Sequence, residues 1–211
     1  MESYRTIELG PNTGPLVHVA KKSKFIADAG EMLSGDALSA FVNTIREKHL
    51  GASHTAYACR AGAFEKYSDA GEPSGTAGLP LLTFLRGEGV THCAITATRY
   101  FGGTLLGKGG LTHAYGACAR LLRAYIVERV LHRKYYLTVS YPCAGRLRYA
   151  LESAACDNAC VLYDISYGQN VTFYVSTEVN NADDLIKLAQ DAANGAAYIV
   201  EDECVYITKR P

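Results

Sequence analysis

The chain has 211 residues, of which 48% are hydrophobic, so it is long enough for one large folded domain or two small ones. Its 21 Lys and Arg residues balance its 21 Asp and Glu residues, which excludes a surface that is basic throughout and grips nucleic acid over its whole area. The first residues contain no basic region followed by an apolar run, and no segment reaches the about 20 apolar residues that span a bilayer. We therefore expect a cytoplasmic protein that does not bind membranes.

The charge distribution and the cysteines limit which kinds of binding site and metal site are expected. Residues 1–130 carry 14 basic and 11 acidic side chains, and residues 131–211 carry 7 and 10, so an electropositive surface is expected in the first part. The seven cysteines are odd in number, lie in apolar stretches and include no C-x-x-C pair. We interpret them as reduced, buried thiols, and we expect neither a metal site nor a cofactor.

Short alternating runs and two apolar stripes predict an α+β first domain over residues 1–130. After a turn-rich start, the predicted elements are a strand pair within Leu16–Glu31, a helix capped by Ser34 or Asp36 and ended by Gly51, and a hairpin over 53–68. A helix over Thr76–Arg86 that Pro80 bends or shortens, a buried strand over His92–Phe101 and the longest helix of the protein over Leu111–Val130 follow.

The pattern restarts near residue 131 and predicts a second domain over residues 131–211. Its expected elements are the strand Tyr135–Tyr141, the helix Ala144–Ala155, the strands Val161–Tyr167 and Val171–Glu178, the helix Ala182–Ala193 and the strand Ala197–Thr208. Asn181 is the expected cap of the second helix, and Gly195 its expected stop. The order βαββαβ is that of a ferredoxin-like fold.

Glycine is concentrated between Tyr67 and Gly110, which hold 10 of the 20 glycines. Dense glycine permits close backbone approach to a ligand, but it equally permits tight turns and close helix packing. Both glycine-rich segments lead into predicted helix starts, where unpaired amides bind anions. We therefore favour a ligand-binding role for both segments.

The second segment, Gly102–Gly110, satisfies the first part of the phosphate-binding P-loop pattern through Gly102, Gly107 and Lys108. Gly109 stands where that motif needs Ser or Thr to hold magnesium, so a hydrolytic nucleotide site is not expected. Phosphate binding without hydrolysis is still open, because amides at a helix start and one lysine suffice to hold an anion.

The first segment, Ser68–Gly78, leaves its acidic residues open to several roles. Asp69 and Glu72 could cap local amides, coordinate a cation, or act as acid and base. A nucleophile reading would combine Ser68 or Ser74 with His54 and Asp69, but the sequence has no G-x-S-x-G elbow. The alternative for His54 is a hydrogen-bonded, partly buried strand residue.

Two further groups point to nucleic acid. Arg99, Tyr100 and Phe101 at a strand end could join a phosphate contact to base stacking, or could be a core edge with Phe101 buried and Arg99 solvated. The lysines of Lys21–Lys24 form a small basic patch, or a charged strand edge that resists aggregation.

These motifs resemble the IMPACT family. The resemblance rests on KSKFIA at Lys22–Ala27, SHTAYACR at Ser53–Arg60, SDAGEPSGTAGLP at Ser68–Pro80 and TRYFGGTLLGKGGLTHAY at Thr98–Tyr115. The chain departs from the family pattern at Ala70, where an acidic or polar residue is frequent, and at Thr104, where a basic residue is common.

The resemblance implies a ribosomal-protein-S5-domain-2-like first domain with a left-handed βαβ fold, followed by a ferredoxin-like domain similar to domain V of elongation factor G. Eukaryotic members of the family regulate translation under amino-acid starvation, but they use an N-terminal module that this sequence lacks. For a two-domain chain the resemblance implies RNA or a ribosome-associated partner, by analogy of fold.

The preferred hypothesis is a cytosolic binding protein, linked to translation, that holds RNA or a phosphate-bearing small molecule. The competing hypotheses are an enzyme that acts on a small phosphorylated or peptide substrate, with His54, Asp69 and Glu72 as acid–base groups, and a protein-interaction module that uses the sheet of the second domain. The expected ligand-binding residues are Ser68, Asp69, Glu72, Ser74, Gly75, Thr76, Arg99, Tyr100, Phe101, Gly102, Gly103, Gly107, Lys108, Gly109 and Gly110.

Overall fold

A computed structural model describes residues 2–209, which divide into two units. Residues 4–128 form the first unit, and residues 129–209 with Glu2 and Ser3 form the second. The elements in chain order are β1 (Ser3–Ile7), β2 (Leu16–Ala20), β3 (Ser23–Glu31), α1 (Leu38–Lys48), β4 (His54–Ala61), β5 (Phe64–Ser68), α2 (Gly78–Gly87), β6 (Cys93–Tyr100), α3 (Gly107–Arg120), β7 (Ile126–Val139), α4 (Tyr141–Cys156), β8 (Val161–Tyr167), β9 (Val171–Glu178), α5 (Ala182–Ala192) and β10 (Tyr198–Thr208).

The first unit is built on an antiparallel sheet of order β2-β3-β6-β4-β5. The predicted strand pair is confirmed as β2 and β3, and the predicted hairpin as β4 and β5. Lys21 and Lys22 form the two-residue turn between β2 and β3, with φ of 44° and 69°. Two consecutive left-handed residues give the backbone twist that a tight hairpin needs.

Helices cover both faces of this sheet. On one face α2 and α3 pack on Phe25, Ile95 and Ala97 of β3 and β6, which together form the larger core. On the other face α1 buries the stripe that its sequence spacing predicts, including Leu38 and Val42. Alternation along β6 therefore places Arg99 on the α2/α3 face and Tyr100 on the α1 face.

The second unit has the predicted βαββαβ order, with β7, α4, β8, β9, α5 and β10 in sequence. The four strands of this motif lie in the order β10-β7-β9-β8 of a five-stranded sheet and pair antiparallel with each other. Alternate residues such as Leu137 and Phe173 pack on Leu147 of α4 and Leu185 of α5, so both helices lie on one face. The chain is thus an α+β protein with a ferredoxin-like second unit.

The prediction of one long helix over Leu111–Val130 is wrong. The helix α3 ends at Arg120, a 3-10 helix covers Leu121–Tyr125, and β7 begins at Ile126. The β-branched residues Ile126, Val127 and Val130 favour the strand, so β7 also starts nine residues before the predicted Tyr135. The longest helix is α4, with 16 residues against 14 for α3.

Helix ends differ from several predictions. Neither Ser34 nor Asp36 caps α1; Ser34 donates to Asp36 instead, and α1 follows Ala37 without a side-chain cap. The helix ends at Lys48, before Gly51. Asn181 does precede α5, but its side chain makes no capping hydrogen bond.

Glycine and proline account for two other helix ends. Gly195 has a φ of 77° and its amide donates to the Gln190 carbonyl, which confirms it as the stop of α5. Pro80 lies in the first turn of α2, where no intrahelical amide donor is needed, so the helix starts at Gly78 rather than Thr76.

The cysteines are free thiols, but not all of them are buried. Burial raises the pKa of Cys59 to about 11 and that of Cys93 to about 12, so both are protonated at neutral pH. Cys156 and Cys204 are exposed, contrary to the prediction of buried thiols throughout, because they lie on the solvent side of α4 and β10. Among the helices of residues 2–209, none combines the length and apolar character that crossing a membrane requires.

Two positions around the glycine-rich segments are fixed by contacts of the backbone. The first is Gly102, on which a Cβ atom would lie 2.1 Å from the Lys22 carbonyl carbon and 2.4 Å from the Ser23 nitrogen. The absence of a side chain at Gly102 therefore allows the turn between β2 and β3 to pack against the segment that follows β6.

The second position is Asp69, whose carboxylate accepts hydrogen bonds of 2.9 Å from the amides of Gly75, Ala77 and Gly78. Burial opposes ionisation, but the three amides together lower the pKa of Asp69. Asp69 thus fixes the loop before α2 and satisfies the amides at the start of that helix.

Gly102→Ala is expected to lower the free energy of unfolding by about 2 kcal/mol or more, because the new methyl group meets backbone that cannot move aside. Gly109→Ala is the matched control, since its Cβ would meet nothing within 4 Å and the residue lies in α3. That variant is expected to be neutral or slightly stabilising. Urea unfolding of both variants measures the difference, and equal stabilities would contradict the proposed backbone contact.

Asp69→Asn is expected to lower the free energy of unfolding at pH 7 by about 1–2 kcal/mol, since the ionised carboxylate binds three amides. A pKa lowered by folding means that this stabilisation is complete above the unfolded pKa of about 3.9 and is lost as the pH falls through the folded pKa. The difference between the two proteins should therefore shrink in acid.

Unfolding curves at several pH values test this expectation, with the exposed Asp36→Asn as a control that changes little. A stability difference that is the same at neutral and acid pH would show that the carboxylate charge is not what holds the loop.

Candidate functional site

The centre of the candidate site is a buried ion pair between Arg99 and Glu72. Arg99 Nη1 donates to Glu72 Oε1 at 2.8 Å, and the two side chains are only 7% and 3% exposed. Arg99 is the penultimate residue of β6, and Glu72 belongs to the first glycine-rich segment. The pair therefore joins the two parts of the chain that the sequence suggested for one site.

The same carboxylate is also bound from α3. The Tyr115 hydroxyl donates to Glu72 Oε1 at 2.9 Å. Burial, and next the neighbouring charge of Glu72, raise the pKa of Tyr115, so the phenol keeps its proton and acts as a donor. Glu72 thus fixes the position of α3, which follows the second glycine-rich segment.

Two aromatic rings and one hydroxyl surround the Arg99 guanidinium. Its central carbon lies 5.7 Å from the ring centre of Phe25 and 5.4 Å from that of Phe101. Ser23 Oγ lies 3.5 Å from Arg99 Nη2 and accepts the Gly102 amide at 3.1 Å. Arg99 Nε has no hydrogen-bond partner within residues 2–209. The guanidinium therefore supports the Phe101 ring from beneath.

The alternative in which Phe101 is buried and Arg99 solvated is the reverse of what the structure contains. Phe101 is 49% exposed, whereas Arg99 lies under the surface. The expected phosphate contact by Arg99 is corrected in the same way, because its guanidinium already binds Glu72 and faces Ser23. A buried and paired arginine is a supporting residue rather than a surface cation.

Tyr100 points away from the Arg99–Glu72 pair and from Phe101. Its hydroxyl lies 2.9 Å from His49 Nδ1, and the two rings meet edge to face on the α1 side of the sheet. The structure thus separates the three adjacent candidates: Phe101 is at the surface, Arg99 lies beneath it, and Tyr100 is on the opposite face.

Most donors of the first glycine-rich segment are already used within it. The amides of Gly75, Ala77 and Gly78 bind Asp69, so the start of α2 is not open to an external anion. The Ser68 hydroxyl accepts the Ala70 amide at 3.2 Å, and the Thr76 hydroxyl donates to the Pro73 carbonyl at 2.6 Å. Ser74 is exposed.

The second glycine-rich segment leaves more of its backbone accessible to a ligand than the first. Gly103 and Gly107 have φ of 82° and 70°, and Lys108 and Gly109 are exposed at the start of α3. No side chain within the described residues caps this helix start, whose first turn ends at Gly110. Its amides are therefore in the arrangement that favours anions.

The acid–base candidates do not form one catalytic group. His54 Nδ1 lies 2.9 Å from the Ala70 carbonyl, which fits the hydrogen-bonded strand residue of the alternative reading. Asp69 caps amides and Glu72 binds Arg99 and Tyr115. Within residues 2–209 no hydrogen bond links these three side chains to each other, and no group of three or more metal-ligating side chains comes together.

Sequence reasoning missed Ser23, Phe25 and Tyr115 as members of the site. Phe25 and Ser23 lie in the KSKFIA motif, and Tyr115 ends the TRYFGGTLLGKGGLTHAY motif, but their own sequence pattern indicates only a strand and a helix stripe. The register that pairs Phe25 with Arg99 across β3 and β6 brings them to the site. Long-range strand pairing of this kind has no local signal.

Comparison with known proteins finds a family model for each unit and a similar solved structure. The Impact N-terminal domain matches residues 21–122, and a domain of unknown function (DUF1949) matches residues 137–196. A crystal structure of a hypothetical protein superimposes with a TM-score of 0.56 at 28% identity, covering 96% of this chain and 98% of that one. The two-domain translational regulator Yih1 gives a TM-score of 0.38 at 21% identity over 57% of this chain and 50% of its own, which is too distant to bear on function.

Two bacterial proteins are similar in sequence. The IMPACT family member YigZ of Escherichia coli is 43% identical over 55% of this chain and 58% of its own length. The IMPACT family member YvyE of Bacillus subtilis is 31% identical over 99% of this chain and 95% of its own length. Similarity along both units, at this identity, shows that the chain belongs to the IMPACT family.

Proposed function

We propose that this protein is a cytosolic, translation-linked regulator that binds RNA, or another phosphate-bearing ligand, through the first unit. The binding surface is the loop surface, defined here as Lys21, Lys22, Phe101, Gly103, Gly107, Lys108 and Gly109. The observation that carries the proposal is the backbone contact between Gly102 and Lys22, because it brings the basic turn beside the exposed Phe101 ring.

Charge on the loop surface is available for a ligand. Lys21, Lys22 and Lys108 are exposed, and none of them takes part in an ion pair within residues 2–209. Unpaired lysines attract phosphates and release counterions on binding. The chain as a whole is neutral, so electrostatic attraction of a phosphate has to come from such local cations.

Phe101 supplies the second part of the proposed recognition. Its ring is half-exposed and is held by the Arg99 guanidinium, so it offers a fixed apolar platform. Bases of single-stranded RNA stack on such rings with little sequence preference. The uncapped start of α3 adds backbone amides that bind an oxyanion.

The link to translation comes from the family and from the fold. The first domain of the family resembles a domain of a small-subunit ribosomal protein, and the second resembles a domain of elongation factor G, as the sequence motifs imply. Both of those proteins belong to the translation machinery, which makes a ribosome-associated partner the natural setting for the proposed RNA contact. The link is thus an analogy of fold, and binding of RNA has to be measured directly.

The triple variant Lys21→Gln/Lys22→Gln/Lys108→Gln is expected to weaken binding of a fluorescent single-stranded RNA with a 5′-hydroxyl end. If each lysine contacts one phosphate, the slope of log K against log salt should become shallower by about 2. Fluorescence anisotropy at several salt concentrations measures both quantities.

The matched control is Lys66→Gln/Lys134→Gln/Lys187→Gln, which removes the same charge from positions outside the loop surface. Phe101→Ala tests the stacking part and should weaken binding by about 1–3 kcal/mol while the salt slope stays the same. No RNA binding at low salt, or equal losses in both triple variants, would contradict the proposed function.

A further inference from the structure

A second group of polar side chains, which the loop surface does not use, lies where the end of α1 meets the start of β4. These side chains line a cavity of about 420 Å³, which we call the α1 cavity. Its lining residues are Arg46, His49, Leu50, Ala52, Ser53, His54, Thr55 and Ala70. None of these residues belongs to the loop surface, although the Ser53 hydroxyl accepts the Phe101 amide at 3.4 Å, so the cavity adjoins that surface and has different lining residues.

The polar side chains that line the cavity are cationic or neutral. It contains one guanidinium, two imidazoles and two hydroxyl groups, and none of the lining residues is acidic. The guanidinium of Arg46, in the last turn of α1, makes no hydrogen bond or ion pair with any side chain of residues 2–209. A cavity lined by a free guanidinium and further donors, without a carboxylate, is built to accept an anion.

Both imidazoles are held in place from outside the cavity. His49 is at the end of α1, and its ring lies between the Tyr100 hydroxyl, 2.9 Å from Nδ1, and Asp28 Oδ2, 3.7 Å from Nε2. The side chain is 10% exposed, and its Nε2 has no hydrogen-bond partner in the described part of the chain. Both nitrogens of His49 therefore face protein groups outside the cavity, so this ring forms part of the wall and offers no hydrogen bond to a ligand.

The second imidazole, His54, is held by a hydrogen bond of its Nδ1 atom. A carbonyl oxygen only accepts, so the 2.9 Å contact with the Ala70 carbonyl puts the proton of the neutral ring on Nδ1 and leaves the lone pair on Nε2. Nε2 then accepts a hydroxyl proton when neutral and donates when protonated. A phosphomonoester offers a partner in both cases, because it interconverts between P–OH and P–O⁻ near a pH of about 6.

We propose that the α1 cavity binds a phosphomonoester, with Arg46 as the principal charge partner and His54, Ser53 and Thr55 around the phosphoryl oxygens. The phosphate belongs either to a small molecule or to the phosphorylated end of a nucleic acid, and the chemistry of recognition is the same. The site uses different side chains from the loop surface and does not depend on the proposed function.

The probes are AMP and adenosine, which differ by the phosphate, added to the full-length protein. AMP is expected to bind with a Kd below about 1 mM and to shift the imidazole NMR signals of His54, whereas adenosine leaves them unchanged. Arg46→Gln should weaken AMP binding by about tenfold or more, and Arg46→Lys should restore part of it. Arg46 is exposed, so neither change disturbs the fold.

Arg148→Gln removes the same charge from α4 and is the matched control, and it should bind AMP like the unchanged protein. The triple lysine variant should also bind AMP normally, which separates this site from the loop surface. If a 5′-phosphorylated RNA binds more tightly than its 5′-hydroxyl form, and Arg46→Gln removes this gain, the phosphate belongs to a nucleic-acid end. If AMP binds but the RNA shows no such gain, the phosphate belongs to a small molecule. Absence of AMP binding, or an equal loss in Arg46→Gln and Arg148→Gln, would overturn the proposal.

Discussion

The arrangement of the first unit depends on the buried ion pair between Arg99 and Glu72. Charges that leave water are costly unless each is paired and hydrogen-bonded, and the pair meets this condition with Tyr115 as a third member. The pair fixes the first glycine-rich segment against β6 and α3. Without it, the loop before α2 and the start of α3 would have no common anchor.

The contacts around the ion pair determine which side chains and amides are exposed at the surface. Asp69 caps the start of α2 and so closes one candidate anion site, while the start of α3 stays open. Phe101 is exposed because Arg99 fills the space beneath it. Gly102 admits the Lys21–Lys22 turn, so that this basic turn lies beside the segment that follows β6. The loop surface is therefore a consequence of how the buried groups pack.

Alternation along β6 turns the residue after Arg99, Tyr100, toward α1, where it holds His49 at the α1 cavity. A single strand therefore positions both proposed binding regions.

Sequence patterns predicted most elements because their signals are local. The βαββαβ order, the bounds of β8 and β9 and the stop at Gly195 follow from alternation, helical spacing and one glycine. The start of β7 was missed because Leu121–Val130 combines helical spacing with β-branched residues, and packing in the sheet decided between them. The sequence predicted Glu72, Arg99 and Phe101 as members of the candidate site but missed Ser23, Phe25 and Tyr115. The roles were not predictable either, because burial there depends on contacts between distant residues, such as Glu72 with Arg99 at a separation of 27. The α1 cavity was not predicted at all, because its residues come from a helix end, a strand start and a loop.

The central claim is that Arg99 and Glu72 stabilise the site as a pair. The most direct test is a double-mutant cycle with Arg99→Met, Glu72→Met and the combined variant, measured by urea unfolding. Each single change should cost about 3–5 kcal/mol, because it leaves one buried charge unpaired, and the combined variant should cost clearly less than their sum. Single changes that each cost less than about 0.5 kcal/mol, or costs that simply add, would contradict the account.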